Sequence, residues 1–264
     1  MTTSGGFTMK RFICIVAVLL LGSGLAFSQS AEEIMKASRN RLKADTVSTR
    51  ARMTISAKDG GLTERLVDQY TSSADGVTKT VVVFQKPASV AGTRFLTITA
   101  SGKAGDQWIF LPSLGKVRRV AASEGSASFM GTDLSYDDMA SADRKADLDT
   151  FSLLKEESLG GKPCWVIEAK PKESGYQYSR MIGWIEKATN ISLKMELYDK
   201  KGNLAKIMEM SEVKDFQGRL TPTVTKMTSV QAKTSTTITI EIMKYDDPIP
   251  AGVFTERFLL TGRP

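Results

Sequence analysis

The chain of 264 residues contains no histidine. A Ser-His-Asp triad is therefore impossible, and so is any zinc site built on imidazole. Cysteine is almost as scarce, with Cys14 and Cys164 alone. Two thiols cannot make a thiolate metal site, and no G-x-S-x-G elbow, P-loop or G-x-G-x-x-G run occurs anywhere. Serine with lysine, or a pair of carboxylates, remains possible chemistry, but no spacing selects such a pair. Long apolar runs are missing as well. The single candidate, residues 12–21, is too short to cross a bilayer as a permanent anchor. No segment rich in Pro, Gly or Ser divides the chain, and no short repeat is visible, so one domain is expected.

Lys10 and Arg11 stand before that apolar run, and small residues ending in Ala26 and Ser28 follow it. A basic start, a short apolar stretch and a small-residue pattern read as an export signal covering residues 1–28. Residues 1–8 read as an upstream start or tag, with Met9 as initiator. Cleavage is expected near Ser28, with Ser30 as the alternative, and residues 29–264 form the exported domain. No cysteine follows the small residues, which speaks against a lipid anchor, and the expected place is the periplasm. Cys14 leaves with the signal, so the exported chain keeps one thiol and no internal disulfide. Cys164, between Pro163 and Trp165, reads as buried and inert. More than 230 residues then remain, enough to bury a full core. Cleavage takes two cations and no acids from the formal +7, leaving +5. That charge permits contact with an anionic membrane surface and does not point to nucleic acid.

What the chain does have is period-two patterning. Residues 31–44 form the one strong helix signal, with Ser30 as its cap, Glu32 and Glu33 in its first turn, and Ile34, Ala37 and Leu42 as its apolar face. Beyond it, alternating segments separated by Gly/Asp turns such as Asp59-Gly60-Gly61, Asp75-Gly76 and Asp199–Asn203 count to about eleven antiparallel strands. Residues 135–145 read as partly helical. The tail, residues 250–260, carries Phe254, Phe258 and Leu259, enough to dock on the sheet. So wide a sheet must curl, close or split. With few helices to cover it, a curved half-barrel holding residues 31–44 and the segment after Ser135 against it is the expected architecture. Its hollow is either packed solid or left open for an apolar guest. Methionines Met53, Met130, Met139, Met181, Met195, Met208 and Met210 suit an adaptable lining, and each also reads as ordinary core.

The most varied stretch runs over residues 105–139. An apolar strand, Trp108-Ile109-Phe110-Leu111, meets the cations Lys116, Arg118 and Arg119, then a small-residue loop, then Phe129-Met130 and the acidic Ser135-Tyr136-Asp137-Asp138. Two readings stand side by side. One is a core strand, a solvated basic turn and a surface loop. The other is a site for a ligand with a charged head and an apolar tail. Asp137 and Asp138 either pair with the cations and latch the loop or begin a helix.

The run WIFLPSLGKVRRV, residues 108–120, with SFMGTDLSYDDM, residues 128–139, and LKMELYDKKG, residues 193–202, resembles the outer-membrane lipoprotein-sorting family, the LolA-like periplasmic lipoprotein carriers. Phe254-Thr255 near the end is similar too, and the likeness extends over nearly the whole exported chain. The resemblance implies a mainly β half-barrel of about eleven antiparallel strands covered by helices. It implies a carrier that shelters acyl chains of lipoproteins or phospholipids between inner and outer membrane, as part of outer-membrane biogenesis. It also implies an inner-membrane exporter of the resistance-nodulation-division type as a partner. No cofactor or metal is expected.

On that reading the acyl-binding candidates are Met53, Ile55, Leu96, Ile98, Trp108, Phe110, Phe129, Met130, Leu134, Met139, Trp184 and Met195, with Trp165 read as core and Trp184 open to either role. Lys116, Arg118 and Arg119 are the candidates for a headgroup or the membrane surface. Two other functions remain open. A histidine-free lipid hydrolase would use Ser126, Ser128 or Asp133. A lipid-binding sensor or adaptor would bind without delivering.

Overall fold

A computed structural model describes residues 1–3, 29–100, 105–141 and 146–264. Residues 4–28 of the expected leader, with its cleavage site, lie outside the described residues. Thirteen strands form one antiparallel sheet: β1 (Thr46–Ser56), β2 (Leu62–Ala74), β3 (Val77–Lys86), β4 (Arg94–Ala100), β5 (Asp106–Leu111), β6 (Lys116–Arg119), β7 (Asp149–Leu159), β8 (Lys162–Pro171), β9 (Arg180–Glu186), β10 (Ser192–Tyr198), β11 (Leu204–Phe216), β12 (Arg219–Ser229) and β13 (Thr234–Tyr245). The helices are α1 (Ala31–Asn40), α2 (Tyr136–Ser141) and α3 (Glu256–Thr261). The fold is the expected open half-barrel, with thirteen strands in place of about eleven. One strand absent from the sequence reading is β6, whose KVRR looked like a turn because three of its four residues are cations.

The sheet order is β6-β5-β4-β3-β2-β1-β13-β12-β11-β10-β9-β8-β7. Two meanders thus leave the centre in opposite directions, and β1 pairs with β13 to join them. The short, charged β6 suits an edge, where cations discourage pairing with another chain. Residues 120–148 must carry the chain from one edge to the other. On a flat sheet at ~4.8 Å per strand that crossing would span roughly 58 Å. Curling brings the edges together and lays the crossing segment over the trough.

α1 begins with a reciprocal cap. Ser30 Oγ accepts from the Glu33 N–H at 3.2 Å, and the Glu33 carboxylate accepts from the Ser30 N–H at 2.9 Å. The helix stops at Asn40, four residues earlier than expected, and buries Ala31, Ile34 and Met35, whereas Ala37 and Leu42 are only half-buried. These three rest on Ile167 and Ile185 at the β7–β9 end of the trough.

The outer face is covered as well. Val253, Phe254, Phe258 and Leu259 of the tail pack on Val81, Val83, Leu96 and Phe110. Thr255 caps α3 by accepting from the Phe258 N–H at 3.1 Å, and the Arg94 guanidinium donates to the Leu259 carbonyl at 2.8 Å. Strands β3 to β5 are therefore buried on both sides. Cys164 is fully buried, and burial pushes its thiol pKa up.

Candidate functional site

A cavity of about 450 Å³ lies on the inner face of the sheet. Phe95 and Thr97 of β4 line it, and so do Ile167 and Ala169 of β8. Those strands stand nine places apart in the sheet order, roughly 43 Å on a flat sheet. That both reach one cavity is direct evidence of the curl. Seven methionines contribute to its wall: Met35, Met139, Met181, Met195, Met208, Met210 and Met227. Met195, Met208 and Met227 are register partners across β10, β11 and β12, a continuous thioether row. Thioethers on unbranched stems fit guests of variable shape at small cost. Across the cavity, Gln69, Thr80 and Thr97 make one wall more polar. Two lining hydroxyls, Thr97 Oγ1 and Ser192 Oγ, are buried with no hydrogen-bond partner among the described residues.

Among the described residues, three charged ones line the cavity: Arg39, Asp138 and Asp149. Arg39 of α1 is the exposed one and marks the rim. Its guanidinium reaches the buried Asp149 carboxylate at 3.5 Å and stands over the Phe151 ring at 5.6 Å. Asp138 is tied down. Its carboxylate accepts from Lys206 Nζ at 2.6 Å, from the Tyr178 hydroxyl at 2.8 Å and from Gln177 Nε2 at 3.0 Å. It also accepts from the Ser135 N–H at 2.8 Å, while Ser135 Oγ accepts from the Asp138 N–H at 3.0 Å, so the pair caps α2. Burial, then the Asp138 charge, push the Tyr178 hydroxyl pKa far up, and it stays a donor.

The crossing segment plugs the other half of the trough. Phe129 is fully buried and meets Phe95 at 4.9 Å, Tyr136 at 5.5 Å and Phe84 at 5.9 Å between ring centres. A tight turn makes this insertion possible. Met130 and Gly131 both take positive φ, and the Phe129 N–H returns to the Leu134 carbonyl at 2.8 Å. Asp133 anchors the turn to β13. Its carboxylate accepts from Thr236 Oγ1 at 2.8 Å and from the Thr234 hydroxyl, and its N–H donates to Thr236 Oγ1 at 2.9 Å.

Of the twelve acyl-binding candidates, Leu134, Met139 and Met195 line the cavity. Phe129 and Met130 belong to the plug beside it. Met53 and Ile55 share the inner face, since Met53 pairs with Ile238 and Ile55 with Thr236, but neither reaches the cavity wall. Five need correction. Leu96, Ile98, Trp108 and Phe110 point to the outer face beneath the tail, and Trp184 packs outside with Cys164 and Val166. Their neighbours Phe95, Thr97 and Ile185 line the cavity in their stead. Alternation separated the two faces of β4 and β5, where with both faces apolar it could not say which was inner; in β10 a bulge at Ser192/Lys194 breaks it, so that Leu193 packs with the outer cluster while Met195 and Leu197 line the cavity.

The cation cluster is also divided. Arg118 shares the inner-face register position of Ile109 and makes a double contact with Glu124 at 2.8 and 3.1 Å. The Ala121 N–H and then Arg118 hold the Glu124 carboxyl below its usual pKa. Arg119 pairs with Asp106 beside Trp108 on the outer side, and Lys116 stands exposed at the edge. None of the three lines the cavity; among the described residues the cation that does is Arg39, which no sequence pattern marks because its helix face looks ordinary. The hydrolase candidates do not assemble either. Ser126 and Ser128 are exposed, Ser128 Oγ donates to the Thr132 carbonyl at 2.6 Å, and the Asp133 carboxylate is held by the two threonines. Among the described residues no group of three or more Cys, Asp and Glu side chains could hold a metal ion.

Comparison with known proteins places this architecture. A family model described as "Uncharacterized protein" matches residues 76–261, well over half the chain. A solved domain from Vibrio parahaemolyticus, described as outer membrane lipoprotein-sorting, is similar at 26% identity and TM-score 0.83, over 87% of this chain and 98% of its own. A DUF1329 family protein from Desulfovibrio piger is similar at 27% identity and TM-score 0.83, over 87% of this chain and 97% of its own. A LolA superfamily protein from Nitrosomonas europaea shares the fold at 19% identity and TM-score 0.72, over 88% of this chain and 100% of its own. No curated protein matches the chain.

Proposed function

We propose that the chain, which belongs to the family matched over residues 76–261 and is similar to solved outer membrane lipoprotein-sorting and DUF1329 domains, is an exported carrier of acyl chains, taking them up in the methionine-lined cavity and moving them between the inner and outer membranes. The single observation that carries the reading is the cavity itself, apolar on most of its wall and built from both ends of one curled sheet. Each acyl methylene withdrawn from water is worth ~0.8 kcal/mol, so a chain cannot leave a membrane unaided, and a cavity supplies the alternative surroundings. The carrier must also let go. A wall of flexible thioethers grips without a fixed shape, and Arg39 at the rim offers a charge to a headgroup that stays outside. Lipoproteins or phospholipids are the cargo, contact with the membrane surface is transient, and an inner-membrane exporter is the partner. No helix among the described residues is long and apolar enough to cross a membrane.

Transfer between vesicles tests this. Donor vesicles carrying a quenched fluorescent fatty acid should pass it to acceptor vesicles faster as protein is added. Met208→Lys, which sets a charge among the thioethers, should abolish the gain while the protein stays folded. Binding without transfer would favour the adaptor function, and release of free fatty acid from labelled phospholipid would favour the hydrolase.

A further inference from the structure

Resting on the carrier reading, we infer that the cavity also recognises a neutral linkage in its guest: the hydroxyls of Thr97 and Ser192 hydrogen-bond the ester or amide carbonyl that joins an acyl chain to the rest of its lipid. Buried polar side chains nearly always have partners, and each exception calls for a reason. The inner face of β4 and β5 collects three exceptions side by side. Thr97, Thr99 and Gln107 are 1%, 3% and 8% exposed, and Thr97 Oγ1, Thr99 Oγ1 and Gln107 Oε1 are buried with no hydrogen-bond partner among the described residues. Thr97 stands opposite Gln107 in the β4–β5 register, and Thr99 follows on the same face. Valine would serve the strand as well as either threonine, without the cost of a bare hydroxyl. Thr80, beside Thr97 on β3, shows the usual state and shares a hydrogen bond with Thr71 at 3.1 Å.

Thr97 lines the cavity, with Thr99 and Gln107 beside it off the cavity wall. Ser192 lines the same cavity from β10, seven places along the sheet order, and its own Oγ is buried and unpartnered among the described residues. Two hydroxyls thus border one apolar space from separate walls. Thr80, Thr97, Thr99 and Gln107 carry no charge, so this ground suits a neutral group, while a charged head belongs at the rim with Arg39. A hydroxyl donates to a carbonyl oxygen, and an ester or amide carbonyl is the polar group standing at the very end of an acyl hydrocarbon. Ester-linked phospholipids and the ester and amide links of a lipid-modified protein share that chemistry. A carbonyl taken from water loses its hydrogen bonds unless the cavity replaces them. With the replacement present, the linkage enters together with its chain and does not stay at the mouth.

The test pairs lipids that differ only in the linkage. Dioctanoyl phosphatidylglycerol and its dioctyl ether analogue, which lacks the carbonyls, compete below their micelle concentrations with a fluorescent fatty acid on protein stripped of bound lipid. The ester lipid should displace the probe at about tenfold lower concentration, the worth of a hydroxyl–carbonyl bond against a hydroxyl left bare. Thr97→Val keeps the β-branched shape and removes the hydroxyl. It should bring the two lipids within about twofold of each other, and the melting temperature of the empty protein should hold or rise. Ser192→Ala should narrow the gap as well. Equal displacement by the two lipids from the wild-type protein would overturn the inference. So would a lowered melting temperature in Thr97→Val, since water or protein would then already satisfy that hydroxyl. In either case, transfer of the fatty acid between vesicles would leave the carrier reading standing. Failure of both lipids and of the fatty acid to bind would sink both.

Discussion

Asp138 is the residue on which the inner face depends. Its acidic run suggested either a helix start or a latch to the nearby cations, and it serves both purposes with a different partner. It caps α2 through Ser135, which the spacing of serine and aspartate made legible. It latches to Lys206, which no local pattern could name because β11 lies on the other meander. Replacing Asp138 with Asn keeps the shape and leaves the Lys206 ammonium part-buried without its counter-charge. Loss of one member of a buried pair costs about 3 kcal/mol. Urea unfolding of Asp138→Asn should show a midpoint lowered accordingly with an unchanged slope, and a midpoint equal to wild type would mean that water already compensates Lys206. Cys164 offers a simpler reading at the same scale. Fully buried, with its thiol pKa raised by desolvation, it should react with a disulfide reagent only as the protein unfolds. Rapid modification of the native protein would contradict the packing described.

Among the elements, the contrast between the inner and outer aromatics of β5 and the plug separates stability from binding. Phe110 lies under the C-terminal tail and Phe129 lies in the trough, so the two truncations should behave differently. Phe110→Ala removes a buried ring and should cost about 3–5 kcal/mol of stability. Its affinity for a fatty acid, measured under conditions where it stays folded, should remain within about twofold of wild type, well short of the tenfold that 1.4 kcal/mol makes. Phe129→Ala should cost a similar amount but alter which guests bind. A marked loss of affinity in Phe110→Ala with unchanged stability would return the outer face to the binding site. The strands themselves were readable because alternation and Gly/Asp turns are local. Which side of Trp108-Ile109-Phe110 faces inward was not readable, because the tail that buries the outer side arrives more than a hundred residues later. KVRR went unread as a strand for a related reason: an edge strand may be short and charged, and those properties belong equally to a turn.

At the scale of the whole molecule, the lack of histidine returns as a statement about pH. No side chain with an ordinary pKa between about 5 and 8 is present, so folding should take up or release few protons in that range. The acid limit is set by carboxylates whose pKa values are depressed in the fold: Glu124 by the Ala121 N–H and Arg118, Glu168 by Lys170 and then Arg180, Asp199 by the Asn203 N–H, and Asp246 by the Asp45 N–H and then Arg219. A depressed carboxyl stabilises the fold above its unfolded value, near 4, and that contribution disappears as pH falls through the lower folded value. The alkaline limit has the opposite sign. Burial raises the pKa of Cys164 and of Tyr178, Tyr136 and Tyr70, so the neutral forms favour the fold and their contribution is lost as pH rises past the unfolded values of about 8.5 and 10. The expected profile is a plateau from about pH 5 to about pH 8, a decline below about pH 4 and another above about pH 9. Thermal unfolding followed by circular dichroism across that range checks it. A step in melting temperature between pH 6 and 7 would require a strongly displaced carboxyl or amine inside the trough, and with it a different account of how the inner face is held.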